Sequence, residues 1–414
     1  MHTLSQLKSG ELKGIKRLKI SENLTSLPVE VLSLADSLEI LDLSDNNLSM
    51  LPDELSQLTK LKIIFASNNL FTVLPEVLGR CENLEMVGFK SNKIQHVPAN
   101  ALPTKLRWLI LTDNCIETLP DTLGERPRLQ KLALAGNKLT RLPLTMAKLS
   151  NLELLRISAN NLTECPEQLL RLPKLAWFAF SGNPFSQSTI NIASVPVLSS
   201  TSFKLHNILG KGASGIISKA TWTETSPEFP DEVAVKVFKG KVTSDGYPED
   251  ELQACLKTGS HKNLISPLAQ VNEEDCLALI MTLIPEHYKN LGLPPTLKTC
   301  TRDTFDTDFT LSIEQIEKIV VQMSEVFQHL HDNKVCHGDL YAHNTLFDED
   351  ANIIFGDFGA ASMYHMLSNE QQILIKSIER RALNYFIEDL LSTCQQSDRQ
   401  SPEFISIKQK LEHS

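Results

Sequence analysis

The chain has 414 residues, 42% of them hydrophobic, and no excess of Gly or Pro. That excludes a disordered or fibrous polymer and leaves room for two or three domains. The net charge of −10 is uneven: residues 1–200 carry 21 Lys+Arg and 19 Asp+Glu, whereas residues 201–414 carry 19 and 31. With no basic patch to follow a phosphate backbone, nucleic acid is not expected as a partner.

The first residues, "MHTLSQLKSGELKG", contain no basic start followed by an apolar run. No stretch approaches the roughly 18 apolar residues of a membrane helix, so neither a signal peptide nor a membrane contact is expected. The eight Cys are scattered singly, without a CxxC. That fits free thiols in a reducing cytosol better than a disulfide framework or a zinc site, and the expected location is cytoplasmic.

A repeat then fills the first half. "LEILDLSDNNLSMLP" begins at Leu38 and "LKIIFASNNLFTVLP" at Leu61. Equivalent starts fall at Ile15, Leu38, Leu61, Leu84, Leu106, Leu129, Leu152 and Leu175, in steps of 23 residues with one of 22. Eight residues after each start stands Asn23, Asn46, Asn69, Asn92, Asn114, Asn137, Asn160 or Asn183. Each coil holds a short strand whose alternate apolar residues cannot be buried alone, so the coils must stack. The Asn side chains are expected to bond backbone groups of the neighbouring coil.

The pattern LxxLxLxxNxLxxLP resembles the leucine-rich repeat over about residues 12–186. The residue before the second Leu of each repeat should face the concave surface. That row reads Arg17, Ile40, Ile63, Met86, Trp108, Lys131, Leu154 and Trp177, and the next outward set adds Phe65 and Ile110. A solvent-facing row of Trp and aliphatic side chains suits a protein partner, either a substrate or regulator or the chain's own second half. The expected partner-binding residues are therefore Ile40, Ile63, Phe65, Met86, Trp108, Ile110, Leu154 and Trp177. The plainer alternative is a row shielded by its own neighbours. The repeats end at "SGNPFS", and the Ser- and Thr-rich stretch 187–201 is expected to be a linker.

The second half carries chemistry. "LGKGASGIISKA" (209–220) places Gly210, Gly212 and Gly215 between two β-type flanks, so a strand–loop–strand hairpin is expected rather than a loop that opens a helix. Such glycines let a backbone approach anions closely. In "DEVAVKVFKG", Lys236 sits inside an apolar strand, where an unpaired ammonium is costly. The following helix offers Glu251 as its partner, with Asp250 and Glu249 as alternatives. A helix over 312–332 is expected from the capping box of Ser312 and Gln315 and from an apolar face of Ile313, Ile316, Val320, Met323, Phe327 and Leu330. It leads into "VCHGDLYAHNTLF" and then "GDFG".

Over residues 203–391 these motifs resemble the protein kinase family, on Gly210, Gly212, Gly215, Lys236, Glu251, Asp339, Asn344, Asp357 and Gly359. The whole chain resembles bacterial-type proteins that fuse leucine-rich repeats to a kinase domain. The resemblance implies an α/β solenoid of eight repeats (1–186), the linker, and an α+β two-lobed domain (202–414) whose C-terminal lobe is shortened. It implies ATP and Mg²⁺ as cofactors. Asp339 would take the acceptor proton, with Lys236 and Glu251 as its catalytic companions, and Asn344 and Asp357 would hold the metal. Leu209, Gly210, Lys211, Gly212, Gly215, Ile217, Ala234, Lys236, Met281, Leu283 and Leu346 would contact the nucleotide, Met281 as gatekeeper. His337 and Phe358 are expected to pack inside the lobe.

Several residues depart from the family pattern. Gly338 stands where many protein kinases have an Arg that grips an activation-loop phosphate, so activity independent of such phosphorylation is expected. Tyr341 replaces the Lys of serine/threonine kinases, and His343 lies where tyrosine kinases have Arg. The hydroxyl specificity, expected to be serine/threonine, rests on these positions. No "APE" follows "DFGAAS", and Glu379 is placed to stand in for that anchoring acid. A small-molecule phosphotransferase and a weakly active ATP-binding scaffold are the alternatives.

Overall fold

The structure is a computed structural model that describes residues 1–187, 195–212, 214–224, 227–240 and 242–412. The chain divides into two compact units, Met1–Leu175 with Asn183–Phe185, and Ala176–Gly182 with Ser186–Ser414. The boundary expected after residue 186 therefore shifts: Ala176–Gly182, repeat-like in sequence, fold with the second unit. Of the expected linker, residues 188–194 lie outside the described residues.

The first unit opens with α1 (Leu4–Lys8), closed at its start by a capping box of Thr3 and Gln6. One three-residue strand per repeat follows: β1 (Arg17–Lys19), β2 (Ile40–Asp42), β3 (Ile63–Phe65), β4 (Met86–Gly88), β5 (Trp108–Ile110), β6 (Lys131–Ala133) and β7 (Leu154–Arg156). Each pairs in parallel with the next, and one register runs through Ile40, Ile63, Met86, Trp108, Lys131 and Leu154. The central residues, Leu18, Leu41, Ile64, Val87, Leu109, Leu132 and Leu155, are fully buried. Each coil then closes through a short 3-10 turn opened by a Pro, as at Asp53–Gln57 and Glu76–Arg80. A short helix, α2 (Glu167–Leu170), takes that place in the seventh.

The Asn ladder is built as the spacing implied. Asn69 accepts the Leu48 amide of the preceding coil at 2.9 Å and donates to the carbonyls of Leu43 and Ala66. Asn46, Asn92, Asn114, Asn137 and Asn160 repeat this arrangement. Backbone groups stranded in a core need such partners. The residue before each of these Asn is left-handed, with φ between 53° and 69° at Asp45, Asn68, Ser91, Asp113, Gly136 and Ala159. Asn23 departs from the series. It takes the left-handed conformation itself and is exposed.

The concave row is a correction. Ile63, Met86, Trp108 and Leu154 are buried, and so is Trp177 of the second unit; Ile40, Phe65 and Ile110 are half-buried. Within the first unit, parallel strands set the side chains of this row side by side at about 4.8 Å, close enough for each to cover the next. Lys131 lies 4.9 Å over the Trp108 ring, and a Cβ on Gly88 would sit 2.6 Å from the Phe65 ring.

The second unit holds β8 (Trp177–Ala179) and a five-stranded antiparallel sheet. Its strands are β9 (Phe203–Lys211), β10 (Gly215–Trp222), β11 (Glu232–Phe238), β12 (Pro267–Glu273) and β13 (Cys276–Thr282), in spatial order β12-β13-β11-β10-β9. Between β11 and β12 runs α3 (Pro248–Thr258), and Phe203, Ala220, Val233, Val235, Ala269 and Ile280 are among the core residues of this lobe. Next come β14 (Lys289–Asn290) and α4 (Ile313–Asp332), which has the expected capping box. Val320 is only half-buried on α4, and Ile319 and Val326 complete its buried face. Short strands β15 (Val335–Cys336), β16 (Thr345–Phe347), β17 (Ile353–Phe355) and β18 (Ser362–Met363) carry the motif residues between them. They pair as β14–β16, β16–β17 and β15–β18. Then α5 (Asn369–Ser392) and α6 (Pro402–Glu412) end the described chain. Among the described residues this lobe has α4, α5 and α6 as its α-helices. No helix there is long and apolar enough to cross a membrane.

Candidate active site

The hairpin of β9 and β10 forms the expected flap, with Ile217 opposite Gly210. The amide of Gly212 donates to the Gly215 carbonyl at 3.0 Å and closes the turn. Gly215 has a packing reason as well, since a Cβ there would lie 2.5 Å from the Val237 carbonyl oxygen. The flap borders a cavity of about 380 Å³. Of the residues expected to act here, Leu209, Gly212, Gly215, Ile217, Lys236, Glu251, Met281, Asn344, Leu346 and Asp357 line it. Gly210, Lys211, Ala234, Leu283 and Asp339 do not. Ala234 instead pairs with Met281 across the sheet, and Asp339 is bound to Asn344. The wall also takes in Ser214, Thr243, Asp245, Cys255, Ile265, Leu279 and Asn290, which stand in no recognisable motif.

On this wall Lys236 and Glu251 form a buried ion pair. Of the three acids considered, Glu251 is the one that pairs with Lys236. Burial pushes the Glu251 carboxyl above its ordinary range, and the Lys236 ammonium opposes that shift. Glu249 is exposed. Asp250 is half-buried, its Oδ2 has no hydrogen-bond partner, and burial, with Glu249 adding to it, pushes its carboxyl up to about 6.

Opposite features come from the short strands. The Asn344 amide donates to Asp339 Oδ2 at 2.8 Å and to the Asp339 carbonyl at 3.3 Å, which leaves its amide oxygen as the atom able to meet a cation. Asp357 is left-handed, with φ 59°, and its carboxylate accepts the Gly359 amide. Two hard oxygen donors on one cavity wall fit Mg²⁺, which keeps several waters and completes its shell with phosphates. His337 and Phe358 are buried as expected. His337 donates to the Gly356 carbonyl at 3.0 Å and stacks on Phe355 with centroids 4.1 Å apart.

Two departures from the family pattern now have physical reasons. Gly338 has φ 70°, and a Cβ there would lie 2.6 Å from the Phe178 carbonyl oxygen and 3.0 Å from that of Ala360. No side chain fits, so no Arg can stand at this position. Glu379 does not serve as the expected anchor for the segment after "DFG". It is fully buried, accepts the amides of His337 and Gly338 at 2.8 and 3.2 Å, and is bound by His331 at 3.0 Å. It therefore fixes the backbone just before Asp339.

Sequence reasoning missed Asp303. Its Oδ1 accepts from His343 Nδ1 at 2.6 Å, and its Oδ2 accepts the Ala342 amide. This buried carboxylate pins the loop and fixes which His343 nitrogen is engaged. His343 itself lines the cavity.

Residues 203–400 match the model of the protein kinase domain, and residues 37–58 and 127–185 match models of the leucine-rich repeat. The chain joins leucine-rich repeats to a protein kinase domain. A serine/threonine-protein kinase of Candida albicans is 26% identical over 160 residues, 38% of this chain and 21% of that protein. A probable LRR receptor-like serine/threonine-protein kinase of Arabidopsis thaliana is 24% identical over 206 residues, 49% of this chain and 31% of that protein. The chain thus spans less than a third of the length of these two curated relatives. A leucine-rich repeat protein of Leptospira interrogans aligns in structure with 26% identity and a TM-score of 0.29, covering 43% of this chain and 57% of that one.

Proposed function

We propose that the kinase domain transfers the γ-phosphate of ATP to a serine or threonine hydroxyl of a protein. One observation carries this reading. A single cavity is lined by the Lys236–Glu251 ion pair, Asn344 and Asp357, while Asn344 holds the carboxylate of Asp339. Lys236, held in place by Glu251, would bind the α- and β-phosphates. Asn344 and Asp357 would hold Mg²⁺, which supplies charge neutralisation at the transferred phosphoryl group. The acceptor oxygen attacks the γ-phosphorus, the bond to the departing ADP oxygen breaks, and Asp339 takes the hydroxyl proton. As an imidazolium held between two anions, His343 would donate Nδ1–H to Asp303 and Nε2–H to the γ-phosphate, the part played elsewhere by the Lys that Tyr341 replaces.

The serine/threonine assignment follows the two relatives named above. The repeats would recruit a protein substrate or regulator. Of the expected concave surface, the half-buried Ile40, Phe65 and Ile110 are its accessible members. The single thiols and the lack of a membrane-crossing helix among the described residues support a cytoplasmic site of action.

The test is incubation with labelled ATP, Mg²⁺ and a cell lysate, beside the Asp339→Asn variant. Labelled protein bands that vanish in the variant are expected. Label confined to small molecules would favour a small-molecule phosphotransferase, and ATP binding without transfer would favour a scaffold.

A further inference from the structure

We infer that Ala176–Gly182, the last repeat-like segment of the sequence, is a positioning clamp of the kinase site. It does the work that an Arg-bound activation-loop phosphate does in kinases with Arg before the catalytic Asp. The inference rests on the phosphotransfer reading above, but its contacts stand without it.

This segment folds within the second unit and touches three elements around the site. Trp177 is 1% exposed, and its Nε1 donates to the Leu340 carbonyl, next to Asp339, at 2.9 Å. Its ring lies flat on Tyr341, with centroids 5.0 Å apart and planes 3° apart, and also stacks with Tyr385 at 5.4 Å. The stack continues at both ends. Arg302 lies 4.6 Å over Tyr385, and Tyr341 meets the His343 ring at 4.9 Å. Trp177 thus sits at the middle of a series that ends on the cavity wall.

Downstream, the Phe178 carbonyl fills the space where residue 338 would carry a side chain. The amides of Phe180 and Ser181 both donate to the Ser362 hydroxyl, at 2.9 and 3.0 Å, five residues past Asp357. Gly182 abuts the start of α3, since a Cβ there would lie 2.6 Å from Asp250 Oδ2 and 2.7 Å from the Tyr247 ring. That helix carries Glu251. Five residues of this seven-residue segment therefore contact the catalytic loop, the segment after "DFG", and the helix that supplies the partner of Lys236. An activating phosphate would hold such elements together by charge. Here hydrogen bonds and ring stacking link them without a phosphate, and Gly338 is the space they require.

Trp177 is a positioning residue, because it touches the loop and not the reacting atoms. The test uses the full chain with Mg²⁺ and ATP. Trp177→Phe keeps a ring in the stack and removes the bond to Leu340, while Ser362→Ala removes the shared acceptor. For each, kcat and KM for ATP turnover, thermal midpoint, and hydrogen exchange of peptides covering 337–344 and 357–363 are measured. The expected result is a fall in kcat of about tenfold or more with KM for ATP within about twofold. Exchange in both peptides should be faster and the thermal midpoint nearly unchanged. Unchanged kcat and unchanged exchange would overturn the clamp. Losses of kcat, ATP affinity and thermal midpoint together would reduce it to ordinary packing. If the unaltered protein turns over no ATP, the phosphotransfer reading fails, and the exchange of the two peptides alone decides whether the clamp exists.

Discussion

Trp108 and Trp177 occupy the same position of their repeats, three apart in the series, yet they are buried for different reasons. Trp108 lies in the regular register of β5, beside Met86 and Lys131, with the Lys131 ammonium over its ring. Trp177 lies in the kinase unit, between two Tyr rings, bonded to the catalytic loop. The same holds for the glycines. Gly136 and Gly182 are both left-handed, each before an Asn of the ladder, but Gly182 also lies against α3. A repeat position fixes the local backbone and the inward or outward direction. It does not fix what the side chain meets.

Four predictions can break or sharpen this contrast. The largest effect is expected from Gly338→Arg, which puts a side chain into a left-handed position already filled by the Phe178 carbonyl. It should destabilise the kinase unit by about 4 kcal/mol or more. In calorimetry one unfolding transition should fall by many degrees and the other should stay; equal movement of both would show that the two units unfold as one. Next, Asn114→Ala removes a buried amide that accepts from Ile94 and donates to Phe89 and Leu111. A loss of about 3 kcal/mol is expected in the repeat unit, while kcat of a purified, folded sample stays within about twofold. A tenfold drop in kcat would mean that the ladder also governs the site.

A smaller effect, about tenfold in kcat or ~1.4 kcal/mol, is expected from His343→Gln, with KM for ATP little changed. An unchanged kcat would remove His343 from the γ-phosphate. The smallest is Asp250→Asn. The folded carboxyl titrates near 6, above its ordinary 3.8, so the native state holds its proton more tightly than the unfolded chain does. Its contribution to stability is thus fully present below about pH 4 and is lost as pH rises through about 6. The Asn variant should gain about 1 kcal/mol over the parent at pH 8 and nothing at pH 4. A gain independent of pH would show that Asp250 does not titrate in this window.

Much of the molecule was legible because its signals are local or periodic. The repeat length came from leucines 23 apart, α4 from its capping box, and most of the cavity-lining candidates from motifs whose chemistry demands particular residue types. Lys236 announced its need for a partner because an ammonium in an apolar strand is costly, and only the choice among three neighbouring acids required the structure. The rest depends on contacts distant in sequence. Gly338 could be seen as a departure, but its cause is a carbonyl 160 positions earlier. Asp303 lies in a stretch with no periodicity, and Ser362 is an ordinary Ser until two amides are found to share it. The concave row misled for a related reason. Alternation gives the direction of a side chain, while its exposure depends on the width of its neighbours.

The placement of Ala176–Gly182 in the kinase unit bears on how such a chain can change by recombination. Coils that contact only their neighbours can be duplicated or deleted as whole 23-residue units, because each brings its own Asn and its own strand. The last coil has no such freedom. Its strand must present an indole to Leu340 and two amides to Ser362, and residue 338 must remain Gly. A fragment cut after Phe185 would lack a piece of its own kinase unit, and a splice that preserves that unit must fall before Ala176.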